Sequence, residues 1–504
     1  MSLSDFSCIA VSLHLAALGA AQAHQPAAPR FERAACPVEV AADERIDCGV
    51  LLVPENRSRT GSRTVRLPVM IFRSRSSSPA PDPILFLTGG PGNSGVAGRR
   101  SARGIPFLDE RDYVVMEQRG TRYAQPNLEC PAVNAIKGEI AAGRLRGNAA
   151  NTELVKAAAA CREQLTSEGT DLDGYTSLAS ADDIEDLRKA LGVAKWNLYG
   201  LSYGTRLALT VLRRHPSGIR SVVLDSVLPP EVNFDEVAAS NLLRTLDAVF
   251  VGCAIDRECG VAYPDLRQRF ADLVARADRQ PLELPIDPAD AGGRPAEVRG
   301  AQVVDALYNA LHKPQMIPKI PRIISTAAAG DYTDLLPLVK ENQGPSSSSW
   351  GMRYSVWCSE ESPFENADRI AAQLSPALGL GGIDESTASP DVCRAWKVAP
   401  APAVENEAVK SDIPTLIFAG EFDPDTPPDW GRRLLESMPN ARYVEFRGRS
   451  HGAGFNACGA DLVMAFLRAP VSPFPADCAL KLRGADFGLS TRGSKPLAGA
   501  KREP

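Results

Sequence analysis

The chain has 504 residues, 44% of them hydrophobic and 23% charged, with a formal charge of −5 and a pI near 5.8. At about 150 residues per domain this is roughly three units or one elaborated one, and the composition is ordinary for a globular protein, which excludes wholesale disorder and a collagen-like fibre. The mild acidity argues against an electrostatic nucleic-acid binder, and after the N-terminus no apolar run reaches the roughly 20 residues of a membrane helix.

Residues 8–23 read CIAVSLHLAALGAAQA and close on Ala21-Gln22-Ala23, the small-residue ending of a secretory signal. The expectation is export, with cleavage after Ala23 and no membrane attachment in the mature chain. The preceding MSLSDFS carries Asp5 and lacks the usual Lys or Arg, and a buried N-terminal helix is the alternative.

Strand-like segments follow at residues 50–53 and 65–72, then a Ser/Pro loop at 74–83 and two short apolar strands at 84–87 and 113–116. Ile184, Leu187 and Leu191 repeat at helical spacing behind a cap at Ser180. A strand at 196–199, a helix at 205–214 and a strand at 221–224 come next. This alternation predicts a mainly parallel sheet covered on both faces, an α/β fold. From about 231 to 400 the pattern turns helical, with segments at 234–250, 264–278 and 301–311 and a flexible insert at 344–349. Strands return at 415–419 and 443–446. The expected organisation is a signal peptide at 1–23, a core at 36–230, an inserted helical cap at 231–400, the rest of the core at 401–483, and a disordered tail at 484–504.

Of the 11 cysteines, Cys8 lies in the segment expected to be removed. The other ten fall as neighbours: Cys36 and Cys48, Cys130 and Cys161, Cys253 and Cys259, Cys358 and Cys393, Cys458 and Cys478. Paired so, they make five local staples, favoured in an oxidising compartment over free buried thiols. With no C-x-x-C pair and no H-E-x-x-H, a zinc site is not expected.

Gly200-Leu201-Ser202-Tyr203-Gly204 matches G-x-S-x-G. The pattern alone is weak, but here it joins a predicted strand to a predicted helix, the setting in which a sharp turn lifts a serine hydroxyl above a sheet. A serine needs a base. His24, His215, His312 and His451 remain after signal removal, and the order nucleophile, acid, base selects His451, late in the chain behind a strand. Asp423, in Gly420-Glu421-Phe422-Asp423-Pro424-Asp425-Thr426-Pro427, is the first choice of acid; Asp425 is the near rival and Asp225 a weaker one. Donors for a developing oxyanion are the backbone N–H groups of Tyr203 and Gly90, since Pro91 has none.

Gly89-Gly90-Pro91-Gly92, Glu117-Gln118-Arg119-Gly120, Gly200–Gly204, Gly420–Pro427 and His451-Gly452 together resemble the motif series of α/β-hydrolase exopeptidases. The likeness is to proline iminopeptidases and tripeptidyl aminopeptidases, and it runs from about residue 36 to 478. Thr88 stands where proline iminopeptidases usually have His, and Glu117 where Asp is common. The resemblance implies an α/β-hydrolase fold, a Ser202–His451–Asp423 triad, no cofactor, and a peptide substrate held by its free N-terminus through cap carboxylates. Glu360 and Glu361 are the candidates for that last role, against the reading that they form a solvated charged turn. Three rivals stand beside it. One is a carboxylesterase with the same triad; another is a non-catalytic hydrolase fold used for binding. The third is a dinucleotide-binding start at Gly90-Pro91-Gly92-Asn93-Ser94-Gly95, weakened by Pro91 and by the lack of a helix after it.

Overall fold

The computed structural model describes residues 29–99, 101–291, 295–342, 348–373, 379–380, 389–473 and 476–488. The expected signal peptide, most of the 344–349 insert and the tail from 489 lie outside them.

Nine strands form one sheet: β1 (Arg30–Arg33), β2 (Ile46–Pro54), β3 (Thr64–Phe72), β4 (Ile84–Leu87), β5 (Tyr113–Met116), β6 (Trp196–Leu201), β7 (Ile219–Asp225), β8 (Thr415–Gly420) and β9 (Ala441–Phe446). Their order is β1-β2-β3-β5-β4-β6-β7-β8-β9. The first three strands pair antiparallel, as does β3 with β5, and all pairs from β5 to β9 are parallel. The parallel strands are apolar throughout because both faces are covered. Successive residues alternate between two cores. Leu85, Val114, Leu198 and Val222 meet the helices Ser177–Ala190 and Tyr203–Arg214, while Ile84, Val115, Tyr199 and Val223 meet the helix Ala457–Arg468.

The insertion between β7 and β8 has two parts. Helices Ala238–Ile255, Leu266–Arg279, Gly300–Leu311 and Ile320–Ala328 enclose a core of their own around Leu246, Phe270, Leu307 and Ile324. The helix Trp350–Glu360 instead packs with Pro131–Ala141, Gly147–Ser167 and Tyr203. The cap is thus built onto the nucleophile side of the core. Two expectations change here. The tail is anchored as far as Phe487, which is buried against Gly252 and Phe422, because its ring fills the space a glycine leaves on the cap helix. The charged stretch at the end of Trp350–Glu360 is buried, not a solvated turn.

All five expected disulfides are present, at sequence separations of 12, 31, 6, 35 and 20. They fit a protein that matures in an oxidising, extracytoplasmic compartment.

Candidate active site

β6 runs into the helix Tyr203–Arg214 through Ser202, whose backbone takes φ 57°, ψ −128°. A non-glycine residue held there is strained by about 1–3 kcal/mol, and the surroundings impose it. The Ser202 N–H donates to the Asp225 carbonyl at 3.0 Å, and its own carbonyl accepts from the Thr205 N–H and hydroxyl at 2.8 and 2.6 Å. The turn is tight enough to demand glycine at Gly204, where a Cβ would stand 2.0 Å from the Leu87 carbonyl oxygen. At Gly89 a Cβ would come within 2.9 Å of the Ser202 Cβ, so the loop after β4 lies directly on the serine. The Tyr203 N–H is the first of its helix and free of an intrahelical acceptor, and the Gly90 N–H comes from the adjoining loop.

Glu117 holds that loop. Its buried carboxylate accepts from the Ser94 hydroxyl at 2.9 Å and from the N–H groups of Val96 and Tyr123 at 3.0 and 3.1 Å. The dinucleotide reading fails on the same geometry. Residues 95–98 form turns rather than a helix, and the acid expected on a ribose is spent inside the fold.

At the end of β8, Asp423 is fully buried and collects the N–H groups of Asp425 and Thr426, both at 2.9 Å, and the Thr426 hydroxyl at 2.7 Å. His451 Nδ1 lies 3.1 and 3.0 Å from its two oxygens. Burial opposes the Asp423 charge, but His451 and these donors hold the carboxyl below its ordinary range. For His451, burial works against the imidazolium. The Asp423 charge and hydrogen bond, then Asp425 and Asp225, overcome it and push the ring up to about 9. The His451 loop is tied down by Gly452 N–H to Ser226 Oγ at 2.8 Å and Ser450 Oγ to the Phe422 carbonyl at 3.0 Å. With Nδ1 on Asp423, Nε2 is the ring nitrogen left for a serine; no hydrogen bond joins it to Ser202 Oγ in this geometry.

The rival acids have other partners. Asp425 accepts from Tyr308 OH at 2.5 Å and from His312 Nε2 at 2.9 Å, and its nearest oxygen is 3.7 Å from His451 Nδ1. Asp225 takes Tyr199 OH at 2.9 Å and Gly454 N–H at 3.0 Å, and burial pushes its carboxyl up to about 7. His215 pairs with Asp182 at the far end of the nucleophile helix.

Glu360 and Glu361 are each 1% exposed, and neither is available to a substrate. Glu360 accepts from the Ser177 N–H and hydroxyl at 2.5 and 2.6 Å, and that hydroxyl also meets Tyr203 OH at 2.7 Å. Glu361 pairs with Arg206 and accepts from the Phe234 N–H at 3.0 Å. Arg206 sits one turn beyond Ser202, so both acids lock the cap helix to the nucleophile helix. The assignment of this pair to the substrate amine is therefore corrected. A buried guanidinium 154 residues away consumes them, and nothing local in the sequence marks that partner.

Residues 82–258 match the family described as alpha/beta hydrolase fold, and residues 383–478 the one described as TAP-like protein. The chain is a serine hydrolase of the α/β-hydrolase fold. It is similar to the serine protease Hip1 of Mycobacterium tuberculosis (strain ATCC 25618 / H37Rv), 23% identical over 463 residues that cover 84% of this chain and 86% of Hip1. The tripeptidyl aminopeptidase of Streptomyces lividans is 24% identical over 464 residues, 84% of this chain and 81% of that protein. A proline iminopeptidase of Neisseria meningitidis is 26% identical over 214 residues, 42% of this chain and 49% of its own.

Proposed function

We propose that this α/β-hydrolase is an exported exopeptidase that releases N-terminal residues or short peptides through a Ser202–His451–Asp423 triad. The observation that carries the reading is the Asp423–His451 pair, with both carboxylate oxygens on Nδ1, in a chain whose Ser202 is held at a strained strand-to-helix turn. The names of the full-length relatives supply the substrate class. His451 Nε2 takes the Ser202 proton as Oγ attacks the substrate carbonyl carbon. The Tyr203 and Gly90 N–H groups receive the oxyanion. His451 then gives the proton to the departing amine, and water repeats the sequence on the acyl-enzyme.

For the substrate amine, Glu365 replaces Glu360 and Glu361; Asp235 and Glu236 beside it are engaged by Trp357 Nε1 at 3.1 Å and by Arg369 at 2.9 Å. Glu365 Oε1 is buried with no hydrogen-bond partner. Burial first, then Asp235, Glu361 and Glu236, push its carboxyl up to about 9. An ammonium would relieve that crowding. Phe234, next to Asp235, lies edge-on to Trp357 and to Trp430, and Trp430 follows the Asp423 loop. Export with cleavage after Ala23 accords with the five bridges and is read directly from the N-terminus of the mature protein.

The test is a panel of aminoacyl- and tripeptidyl-amides, free and acetylated, beside simple esters on the unlabelled enzyme, with fluorophosphonate labelling of Ser202 in a separate sample. Ser202→Ala and His451→Ala are expected to lose roughly 10⁴- to 10⁶-fold in kcat. Glu365→Gln should lose about 10- to 150-fold in kcat/KM on the free amine alone, the worth of one charge-assisted hydrogen bond. Equal cleavage of acetylated and free substrates by the wild type would overturn the exopeptidase reading in favour of an esterase or endopeptidase.

A further inference from the structure

Two histidine–carboxylate pairs stand side by side at this site, and the triad uses only one. Asp423–His451 belongs to the core. Asp425–His312 spans core and cap, because His312 closes the C-terminus of the cap helix Gly300–Leu311. The two imidazole rings are edge to face with centroids 5.7 Å apart.

His312 has acceptors at both ring nitrogens. Nδ1 is 3.0 Å from the Tyr308 carbonyl oxygen and Nε2 is 2.9 Å from Asp425 Oδ2. Both partners are acceptors, an arrangement that an imidazolium, with a hydrogen on each nitrogen, satisfies fully. Burial opposes that charge, and Asp425 outweighs it, holding His312 above the ordinary histidine value. A helix C-terminus also favours a cation. The other Asp425 oxygen takes the Tyr308 hydroxyl from the same helix, so the cap supplies a partner to each oxygen of this carboxylate.

The consequence lies at His451. Its Nδ1 is 3.0 Å from Asp423 Oδ2 and 3.7 Å from Asp425 Oδ2. Without the cap cation, a small shift would make Asp425 a second acceptor for the same N–H. With one cation fewer, the two carboxylates would also hold the His451 proton more tightly. Accepting the triad reading above, we propose that His312 is a positioning residue: as a cap-borne imidazolium it occupies Asp425, leaving Asp423 alone to orient His451. His312 neither gains nor loses a proton in the reaction. Seating of the cap thereby becomes a condition for a correctly tuned base.

Other charges face this group. Asp225 stands behind His451 at the end of β7. Arg353 on the cap helix Trp350–Glu360 feels both Asp235 and Asp425. Arg244, on Ala238–Ile255, donates to the Asp423 and Glu421 backbone carbonyls. None of these supplies a hydrogen bond to the Asp425 carboxylate.

The experiment measures kcat/KM against pH for the full chain, wild type and His312→Gln, Asp425→Asn and the double variant, on a free-amine peptide amide. At 5.7 Å in a largely buried site, losing one cation should raise the acid limb of His312→Gln by about one to two pH units. Asp425→Asn removes the anion and with it the support for the His312 charge, so its limb, like that of the double variant, should lie close to wild type. Thermal melts accompany each profile. Should His312→Gln prove unfolded, ¹⁵N spectra showing His312 doubly protonated at pH 7 in the wild type and neutral in Asp425→Asn carry the test. Coincident limbs in wild type and His312→Gln, a double variant as displaced as His312→Gln, or a neutral His312 at pH 7 in the wild type would each overturn the proposal. Failure of fluorophosphonate to label Ser202 would instead bring down the triad itself. Labelling with unmoved limbs refutes the role of His312 alone.

Discussion

Glu361→Gln separates a structural lock from a substrate site. Glu361 and its partner Arg206 are 1% and 2% exposed. Glutamine keeps the shape and can still accept the Phe234 N–H, but it removes the charge opposite Arg206. The guanidinium would be left with the Glu360 carbonyl at 3.1 Å and the Glu360 carboxylate at 3.8 Å. Breaking a buried ion pair from one side costs about 3–5 kcal/mol. The remaining Glu360 charge brings the expectation to the lower end, about 3 kcal/mol. Urea denaturation followed by tryptophan fluorescence should show that loss, while the ratio of kcat/KM on free and acetylated peptides stays at the wild-type value. Adding Arg206→Met should recover part of the stability, since it removes the orphan guanidinium while Glu360 keeps its Ser177 donors. A Glu361→Gln protein as stable as wild type that loses activity only on free-amine substrates would refute the reasoning and return this carboxylate to the substrate.

Two further outcomes follow from the buried groups and the staples. Asp225 is raised by burial from an ordinary 3.8 to about 7, so the folded chain holds a proton that the unfolded chain releases. Its contribution is present below about pH 4 and is lost as pH rises through 7, a swing of at most about 4 kcal/mol. Asp225→Asn should flatten stability between pH 4 and 8 in denaturation curves, and an unchanged slope would contradict the assignment. The Cys358–Cys393 bridge closes 35 residues and joins two cap helices. Replacing both cysteines with alanine should cost about 3–4 kcal/mol by the loop-entropy estimate, and a loss under about 1 kcal/mol would show that the unfolded chain is not restrained by it.

What could be read along the chain was what depends on near neighbours. The strands Ile84–Leu87 and Tyr113–Met116 coincide with the apolar runs seen in sequence, and the other predicted strands grow by a few residues at their ends. β1 was not legible: its four residues Arg-Phe-Glu-Arg form a largely exposed edge. The helices Pro131–Ala141 and Gly147–Ser167 escaped notice as well. The second is rich in alanine and has no sharp apolar face, and its packing against Trp350–Glu360 supplies the burial.

At the site the same division holds, and its reason is distance along the chain. Ser202, His451 and Asp423 announce themselves because each sits just beyond a strand in a turn whose residues are contiguous. The disulfides were legible for a like reason, with separations no greater than 35. Glu360 and Glu361 were misread because a pair of acids is ordinarily solvated. Arg206, which makes their burial tolerable, is brought to them only by the packing of cap helix on nucleophile helix. Asp425 and His312 are 113 residues apart, and nothing in either neighbourhood marks the other. The sequence alone determined the α/β order, the elbow turn and the bridges, and singled out Ser202, His451 and Asp423 as the candidate triad, since local periodicity and turn chemistry encode them. Only the tertiary structure decided which carboxylate is free, which is paired and which histidine is charged, because the energy of a buried charge is set by the groups that folding places within a few ångströms of it.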